Sequence, residues 1–259
     1  MTVVILCGGK GTRLSEETVS KPKPLVEIGG KPILWHIMKS YSYYGFKKFV
    51  LALGYKGNMI KEYFHNYRLT SSDFTLKLDP NCDIQYFNHS EERDWEITFV
   101  DTGQETLKGG RIKRVEKYIA DEDFFLTYGD GVCDINIKEL FAFHKKHNKL
   151  GTVTAVRPPS RFGELNLEKD GTVSNLEEKP QMHKGLINGG FFVFNKKVMN
   201  YLDQSEGCDF EFGPLQEISN NGDLMAYRHE DFWQCMDNVR ERDYLDRLIG
   251  SKAAPWIKW

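Results

Sequence analysis

Four apolar residues, Val3-Val4-Ile5-Leu6, run without a polar break into Cys7-Gly8-Gly9-Lys10-Gly11-Thr12-Arg13-Leu14. A continuous apolar run this short suits a strand buried on both faces, as in a parallel sheet covered by helices. The pattern then repeats. Pro32 stands at a first helical position, with Ile33, Leu34, Ile37, Met38 and Tyr41 at helical spacing behind it, so residues 32–44 read as a helix. Residues 48–53 read as a strand stopped by Gly54, 58–67 as a helix, 124–127 as a buried strand, 137–147 as a helix and 152–156 as a strand. This alternation predicts an α/β fold: a Rossmann-like, mostly parallel, twisted sheet flanked by helices.

Two stretches depart from it. Residues 71–102 carry short strand-like runs at 74–78, 84–87 and 95–100 between polar turns. We read 71–92 as an insertion whose apolar face meets another subunit. From residue 157 onward β-hairpins are expected at 163–167, 173–178 and 187–194, helices near 195–202 and 212–220, and a last helix at 239–249. No repeat, low-complexity tract or long linker interrupts the chain, so 1–259 reads as one domain.

Composition removes several classes of function. With 40% hydrophobic and 28% charged residues the chain is neither disordered nor fibrous. A net charge of −2 argues against a nucleic-acid partner held by bulk electrostatics. No apolar run approaches the roughly 18 residues of a membrane span, and the amino end lacks the basic region of a signal peptide. A cytoplasmic protein with no membrane partner is expected. Cys7, Cys82, Cys133, Cys208 and Cys235 are scattered with no Cys-x-x-Cys pair, which sets aside structural zinc and a disulfide framework.

The glycines after the first strand let backbone N–H groups approach a polyphosphate with no side chain between. The spacing is neither a dinucleotide fingerprint, which would need glycine at Leu14, nor a P-loop, which would need glycine at Val4. Lys21-Pro22-Lys23-Pro24 sets lysines between prolines that hold the chain extended and out of a helix, so Lys23 is mounted stiffly beside Arg13. Fixed cations beside a glycine cradle suit phosphoryl or nucleotidyl transfer, where negative charge builds on phosphate oxygens. Tyr128-Gly129-Asp130-Gly131 puts a carboxylate at the carboxyl end of a strand, where ligands bind in open α/β sheets. Asp237 offers a second carboxylate, and it reads equally as the N-cap of the last helix. Two hard oxygen ligands with phosphates and waters would make a Mg²⁺ site. Glu177-Glu178-Lys179-Pro180 and Ile187-Asn188-Gly189-Gly190-Phe191 could take sugar hydroxyls and a phosphate.

In order, Gly8-Gly9-x-Gly11-Thr12-Arg13-Leu14, Lys21-Pro22-Lys23-Pro24, Gly29-Gly30-Lys31-Pro32, Tyr128-Gly129-Asp130, Glu178-Lys179-Pro180, Asn188-Gly189-Gly190 and Asp237 resemble the sugar-1-phosphate nucleotidyltransferases over essentially the whole chain. Ser15-Glu16-Glu17-Thr18, Ile33-Leu34-Trp35-His36-Ile37-Met38-Lys39, Gly54-Tyr55-Lys56-Gly57, Val100-Asp101-Thr102-Gly103 and Ala254-Pro255-Trp256 resemble the members that use CTP and α-D-glucose 1-phosphate. The resemblance implies a nucleotide-diphospho-sugar transferase fold with β-hairpin insertions, a sugar-phosphate part at about 157–238 and a carboxyl-terminal helix and tail at 239–259. It implies CDP-glucose and pyrophosphate as products, and a place in building lipopolysaccharide O-antigen.

By the same resemblance Leu6, Cys7, Gly8, Gly9, Lys10, Gly11, Thr12, Arg13, Lys23, Thr106, Arg111 and Gly129 would bind the nucleotide. Tyr128, Glu178, Lys179, Asn188, Gly189 and Gly190 would bind the sugar phosphate, Asp130 and Asp237 would hold Mg²⁺, and Arg13, Lys23 and Asp130 would be catalytic. A homo-oligomer, specifically a hexamer, is implied. Departures are few: glutamate replaces a common proline at Glu16 and Glu27, and Phe191-Phe192 replaces a tyrosine-containing pattern.

A sugar phosphate is already a dianion, so no general base is expected. His144 and His147, three apart on a lysine-rich helix, are expected to face solvent. Other readings are a thymidylyl- or uridylyltransferase on the same sugar phosphate, or a non-catalytic nucleotide-sugar sensor. A nucleotide-sugar-dependent glycosyltransferase would use Asp121-Glu122-Asp123, but that triplet precedes a strand and so falls at the wrong edge of the sheet.

Overall fold

The amino-terminal apolar run is strand β1 (Thr2–Cys7), paired in parallel on both sides. One neighbour is β2 (Lys48–Leu53), itself parallel to β3 (Glu96–Asp101). The other is β4 (Asp123–Tyr128), with Val3 opposite Phe125 and Leu6 opposite Tyr128. The computed structural model describes residues 1–78, 80, 83–87, 91–158, 164–168, 172–177 and 185–259.

Alternation along β1 explains why both faces of the sheet are covered. Val3 and Ile5 join one buried cluster with Ile33, Leu34, Ile37 and Met38 of helix α1 (Ile33–Tyr43) and Ile60 of α2 (Gly57–His65). Val4 joins the opposite cluster with Val50, Phe124 and Ile112, the last from α3 (Lys108–Arg114). Burial of each large aliphatic side chain contributes about 1.5–3 kcal/mol, so the clusters hold the helices to the sheet.

After β4 a short strand β5 (Gly131–Cys133) leaves the sheet, and helix α4 (Ile137–His147) leads to β6 (Gly151–Val156). The next two strands, β7 (Ile187–Asn188) and β8 (Phe192–Asn195), both run antiparallel along β6, and β8 also pairs antiparallel with β4. Residues 187–194 are therefore one interrupted strand, where a hairpin was expected. The interruption falls at Gly190 and Phe191, both with positive φ, a conformation that suits glycine and strains phenylalanine. Helix α5 (Pro214–Asn220) precedes β9 (Leu224–His229), which is parallel to β6. Strand β10 (Trp233–Cys235) pairs with β5, and α6 (Val239–Gly250) follows.

Several expectations shift. Helix α3 and strand β9 were not anticipated, because Gly109-Gly110 reads as a turn and Leu224–His229 mixes burial without a clean period. Residues 195–202 form a 3₁₀ stretch, Lys196–Tyr201, in place of an α-helix. His144 is buried and not solvent-facing: its Nδ1 lies 2.9 Å from Thr152 Oγ1 on β6, and the half-buried His147 reaches the same hydroxyl at 2.7 Å. The insertion contains a two-stranded hairpin, Phe74–Leu76 with Ile84–Tyr86, that shares no strand with the main sheet. It exposes Phe74, Leu76, Leu78, Ile84 and Phe87. Among the described residues no helix is long and apolar enough to cross a membrane.

Candidate active site

The parallel strands β1 and β4 end side by side, and a cleft of about 300 Å³ opens over those ends. It is lined by Leu6, Cys7, Gly8, Gly9, Gly11, Thr12 and Arg13 from the glycine loop, and by Lys23. Thr106, Arg111, Tyr128, Gly129, Asp130 and Asp237 complete the expected set there. Pro24, Leu107 and Lys108 line it too and were not anticipated. Lys10 is not part of the lining and pairs with Glu105 at 2.8 Å. Glu178 and Lys179 lie outside the described residues.

The glycine loop turns at Gly11, whose φ of 65° is left-handed, and Thr18 Oγ1 donates to the Gly11 and Leu14 carbonyls to close it. Lys23 follows on a short 3₁₀ turn, Lys23–Leu25, and not on the extended backbone expected of the proline pair. Proline 24 is tolerated there because the first N–H groups of a helix have no internal partner. The mounting is stiff all the same: Lys23 is buried, and its Nζ lies 2.7 Å from Asp130 Oδ2 and 2.6 Å from Asp237 Oδ1. Burial pushes the Lys23 pKa down, but the two carboxylates outweigh it and hold the ammonium above its ordinary value.

The carboxylates converge because of the β5–β10 ladder. Gly131 pairs with Cys235, and the Met236 N–H donates to the Asp130 carbonyl at 2.8 Å, so residues 130 and 237 sit at the same end of it. Asp237 is not the N-cap of α6. Asn238 takes that role, accepting from the Glu241 N–H at 3.0 Å, while the Asp237 N–H donates to Glu241 at 2.5 Å. The Asp237 carboxylate faces Lys23 and the exposed Arg13, which reaches its Oδ2 at 2.5 Å. Two hard oxygen donors already gathered about one cation fit a divalent ion such as Mg²⁺. Cys235, Asp237 and Glu241 also offer atoms within 4.8 Å of one another. Burial pushes the Cys235 thiol up to about 12, with Glu241 and Asp237 adding to it, so that trio suits a hard ion poorly.

Arg111 lines the cleft and is also tied into the scaffold around it. Its guanidinium is buried and donates to the Leu53, Gly103, Gly8 and Gln104 carbonyls and to Thr102 Oγ1, at 2.6–3.2 Å. It is a strut that binds the glycine loop to the ends of β2 and β3. A side chain at Gly8 would put its first carbon 2.3 Å from that guanidinium, which is why glycine is needed there.

On the opposite wall the Tyr128 hydroxyl donates to Glu211 Oε1 at 2.8 Å and accepts from Asn188 Nδ2 at 3.2 Å. Asn188 Oδ1 accepts from the Gly190 N–H at 2.9 Å, so the expected Asn188-Gly189-Gly190 turn is joined to the cleft through Tyr128. Lys108 pairs with Glu211 and lies 5.0 Å over the Tyr128 ring. Glu211 was missed in the sequence; its only signal is a charged residue set between buried Phe210 and exposed Phe212. Asp121 and Asp123 lie at the other end of β4, where Asp121 accepts from Thr2 and Asp123 from Lys145 and Asn195.

A glycine-rich backbone, four cationic side chains and two carboxylates over the carboxyl ends of parallel strands suit the handling of phosphates. The chain belongs to the nucleotidyl transferase family, whose model matches residues 2–238. It is similar to the glucose-1-phosphate cytidylyltransferase of Salmonella typhi, at 50% identity over 260 residues that cover 100% of both chains. A Bacillus subtilis protein named as a probable glucose-1-phosphate cytidylyltransferase is 44% identical over 259 residues, again 100% of both. Among solved structures, HddC from Yersinia pseudotuberculosis has a TM-score of 0.69 at 23% identity, covering 96% of this chain and 99% of that one, a likeness of fold alone.

Proposed function

We propose that this chain transfers a cytidylyl group from CTP to α-D-glucose 1-phosphate, giving CDP-glucose and pyrophosphate. The observation that carries the reading is the Lys23 ammonium held between Asp130 and Asp237 at the mouth of the glycine loop. A phosphate oxygen of the sugar attacks the α-phosphorus of CTP in line. The bond from that phosphorus to the oxygen bridging to the β-phosphate breaks, and pyrophosphate leaves with the electron pair. The attacking phosphate is a dianion, so no side chain need remove a proton. The main barrier is the repulsion between two anions brought together.

At the mouth of the glycine loop two of the cleft's cations, Lys23 and Arg13, are paired with two carboxylates. An arriving triphosphate competes for both cations. With Lys23 and Arg13 turned to phosphate oxygens, Asp130 and Asp237 would be the residues to hold Mg²⁺. The chemistry such an ion would supply there is neutralisation of phosphate charge on the triphosphate and the leaving group. Arg111 keeps Gly8 in place, and Tyr128 and Asn188 lie on the side proposed for the sugar phosphate.

The same reading includes a cytoplasmic location and self-association through the 71–92 segment, whose exposed Phe74, Leu76, Leu78, Ile84 and Phe87 support it. Pyrophosphate release with glucose 1-phosphate tests the chemistry across CTP, UTP, dTTP, ATP and GTP, with and without Mg²⁺. Mg²⁺-dependent release with CTP well above the rest is expected. Preference for dTTP or UTP would reassign the base, and no release with any nucleotide would sink the transferase reading.

A further inference from the structure

We propose that Glu211 is a positioning residue for the sugar-phosphate half of the cleft, fixing the hydrogen-bond direction of Tyr128 and, through it, of Asn188. The inference deepens the function just proposed and rests on it.

Glu211 itself is outside the lining of the cleft, whereas Tyr128 and Lys108 are part of it. A carboxylate only accepts hydrogen bonds, so the Tyr128 hydroxyl must commit its single proton to Glu211 Oε1. The phenol oxygen is then left as an acceptor, and Asn188 Nδ2 supplies the donor. With its nitrogen on that side, the Asn188 amide turns Oδ1 to the Gly190 N–H. One fixed negative charge thereby sets the direction of two groups in series, and the chain ends at the Gly190 N–H beside the break between β7 and β8. The exposed Asn188 keeps its second Nδ2 proton for a hydroxyl or phosphate oxygen. Hydrogen bonds linked head to tail also polarise one another, so a chain anchored on a charge is stiffer than its separate links.

The acid is itself held in place. The Glu211 and Phe212 N–H groups donate to Asp209 Oδ1 at 3.0 and 3.3 Å. The loop before it is stapled to α3, where Leu107 donates to the Glu206 carbonyl at 2.8 Å and Gly110 to the Cys208 carbonyl at 3.2 Å. Lys108, on that helix, balances the Glu211 charge. With the Glu211 acceptor removed, the Tyr128 hydroxyl is free to turn and no longer holds its lone pair on Asn188 Nδ2.

Steady-state kinetics test this. Glu211→Ala is expected to raise KM for glucose 1-phosphate about tenfold, with KM for CTP within about twofold of the parent. Glu211→Gln, whose amide oxygen can still accept from Tyr128, should recover most of the loss. Tyr128→Phe should give a similar sugar-side rise, and adding Glu211→Ala to it should change little, because both act through one hydroxyl. Glu211→Asp keeps the charge but withdraws it from the phenol; should the alanine variant not fold, the same sugar-only rise is expected from it. Additive effects in the double variant, an unchanged KM for glucose 1-phosphate, or a matching rise for CTP would each overturn the proposal. A parent chain that makes no CDP-glucose at all would instead overturn the underlying function.

Discussion

Lys23 spans both carboxylates that the proposed mechanism assigns to Mg²⁺, so ammonium and metal compete for the same oxygens. Nucleotide-free protein is therefore expected to bind Mn²⁺, a spectroscopic substitute, only weakly. Lys23→Ala should bind it at least about tenfold more tightly in an electron paramagnetic resonance titration, because the two carboxylates then face each other with no ammonium between them. Equal affinities would mean that Lys23 does not guard the site. The same variant should lose orders of magnitude in turnover with its circular dichroism unchanged. Arg111 gives the contrasting case. Arg111→Met would strip the donor from four carbonyls at once, and we expect a loss of about 3 kcal/mol or more, read as a fall in Tm. A Tm within a degree of the parent would refute the strut.

Helix α1 shows how an element can carry a pH dependence. His36 is buried, with Nε2 2.9 Å from the Ile28 carbonyl and Nδ1 3.4 Å from Trp256 Nε1. This arrangement uses the neutral ring, with one nitrogen donating and the other accepting. Burial, with Lys31 adding, lowers its pKa to about 4; burial likewise takes His144 to about 4 against the pull of Asp123. The unfolded chain takes up these protons near pH 6.5 and the fold resists until about 4. Stability is therefore fully present above pH 6.5 and falls as the pH drops toward 4, by about 1–3 kcal/mol per histidine. Thermal unfolding between pH 7 and 4.5 should show this, with a shallower slope in His36→Gln; an identical slope would clear His36. Elements with a single clean period were legible in the sequence. Residues 48–53 and 137–147 match β2 and α4 residue for residue, since propensity and burial agree there. Helix α3 was not legible because its two glycines are present to admit a neighbouring loop, a tertiary demand that overrides propensity. In the site, the short-range groups of the glycine loop and Asp130 could be read from order alone. The ion pairing of Lys23 with Asp130 and Asp237, the ties from Arg111 to Leu53 and Gly8 and the Glu211–Tyr128 contact join residues 58 to 214 apart and leave no local signature.

At the scale of the whole molecule, the hairpin of Phe74–Leu76 and Ile84–Tyr86 shares no strand with the main sheet and carries apolar side chains that the described residues leave exposed; nearby Leu78 is 89% exposed. Sedimentation is expected to find an oligomer, and Leu78→Asp combined with Ile84→Asp should shift it to smaller species without loss of secondary structure. A parent that sediments as a monomer would remove the interface. The stapling of residues 205–211 to α3 has a further consequence. At Gly110 a side chain would begin 2.3 Å from the Ser205 carbonyl oxygen. Any larger residue acts as a wedge that lifts the loop and carries the acid at its tip away from the phenol. Altered hexose preference can thus arise from the reverse side of a helix, and a screen confined to the pocket wall would overlook it.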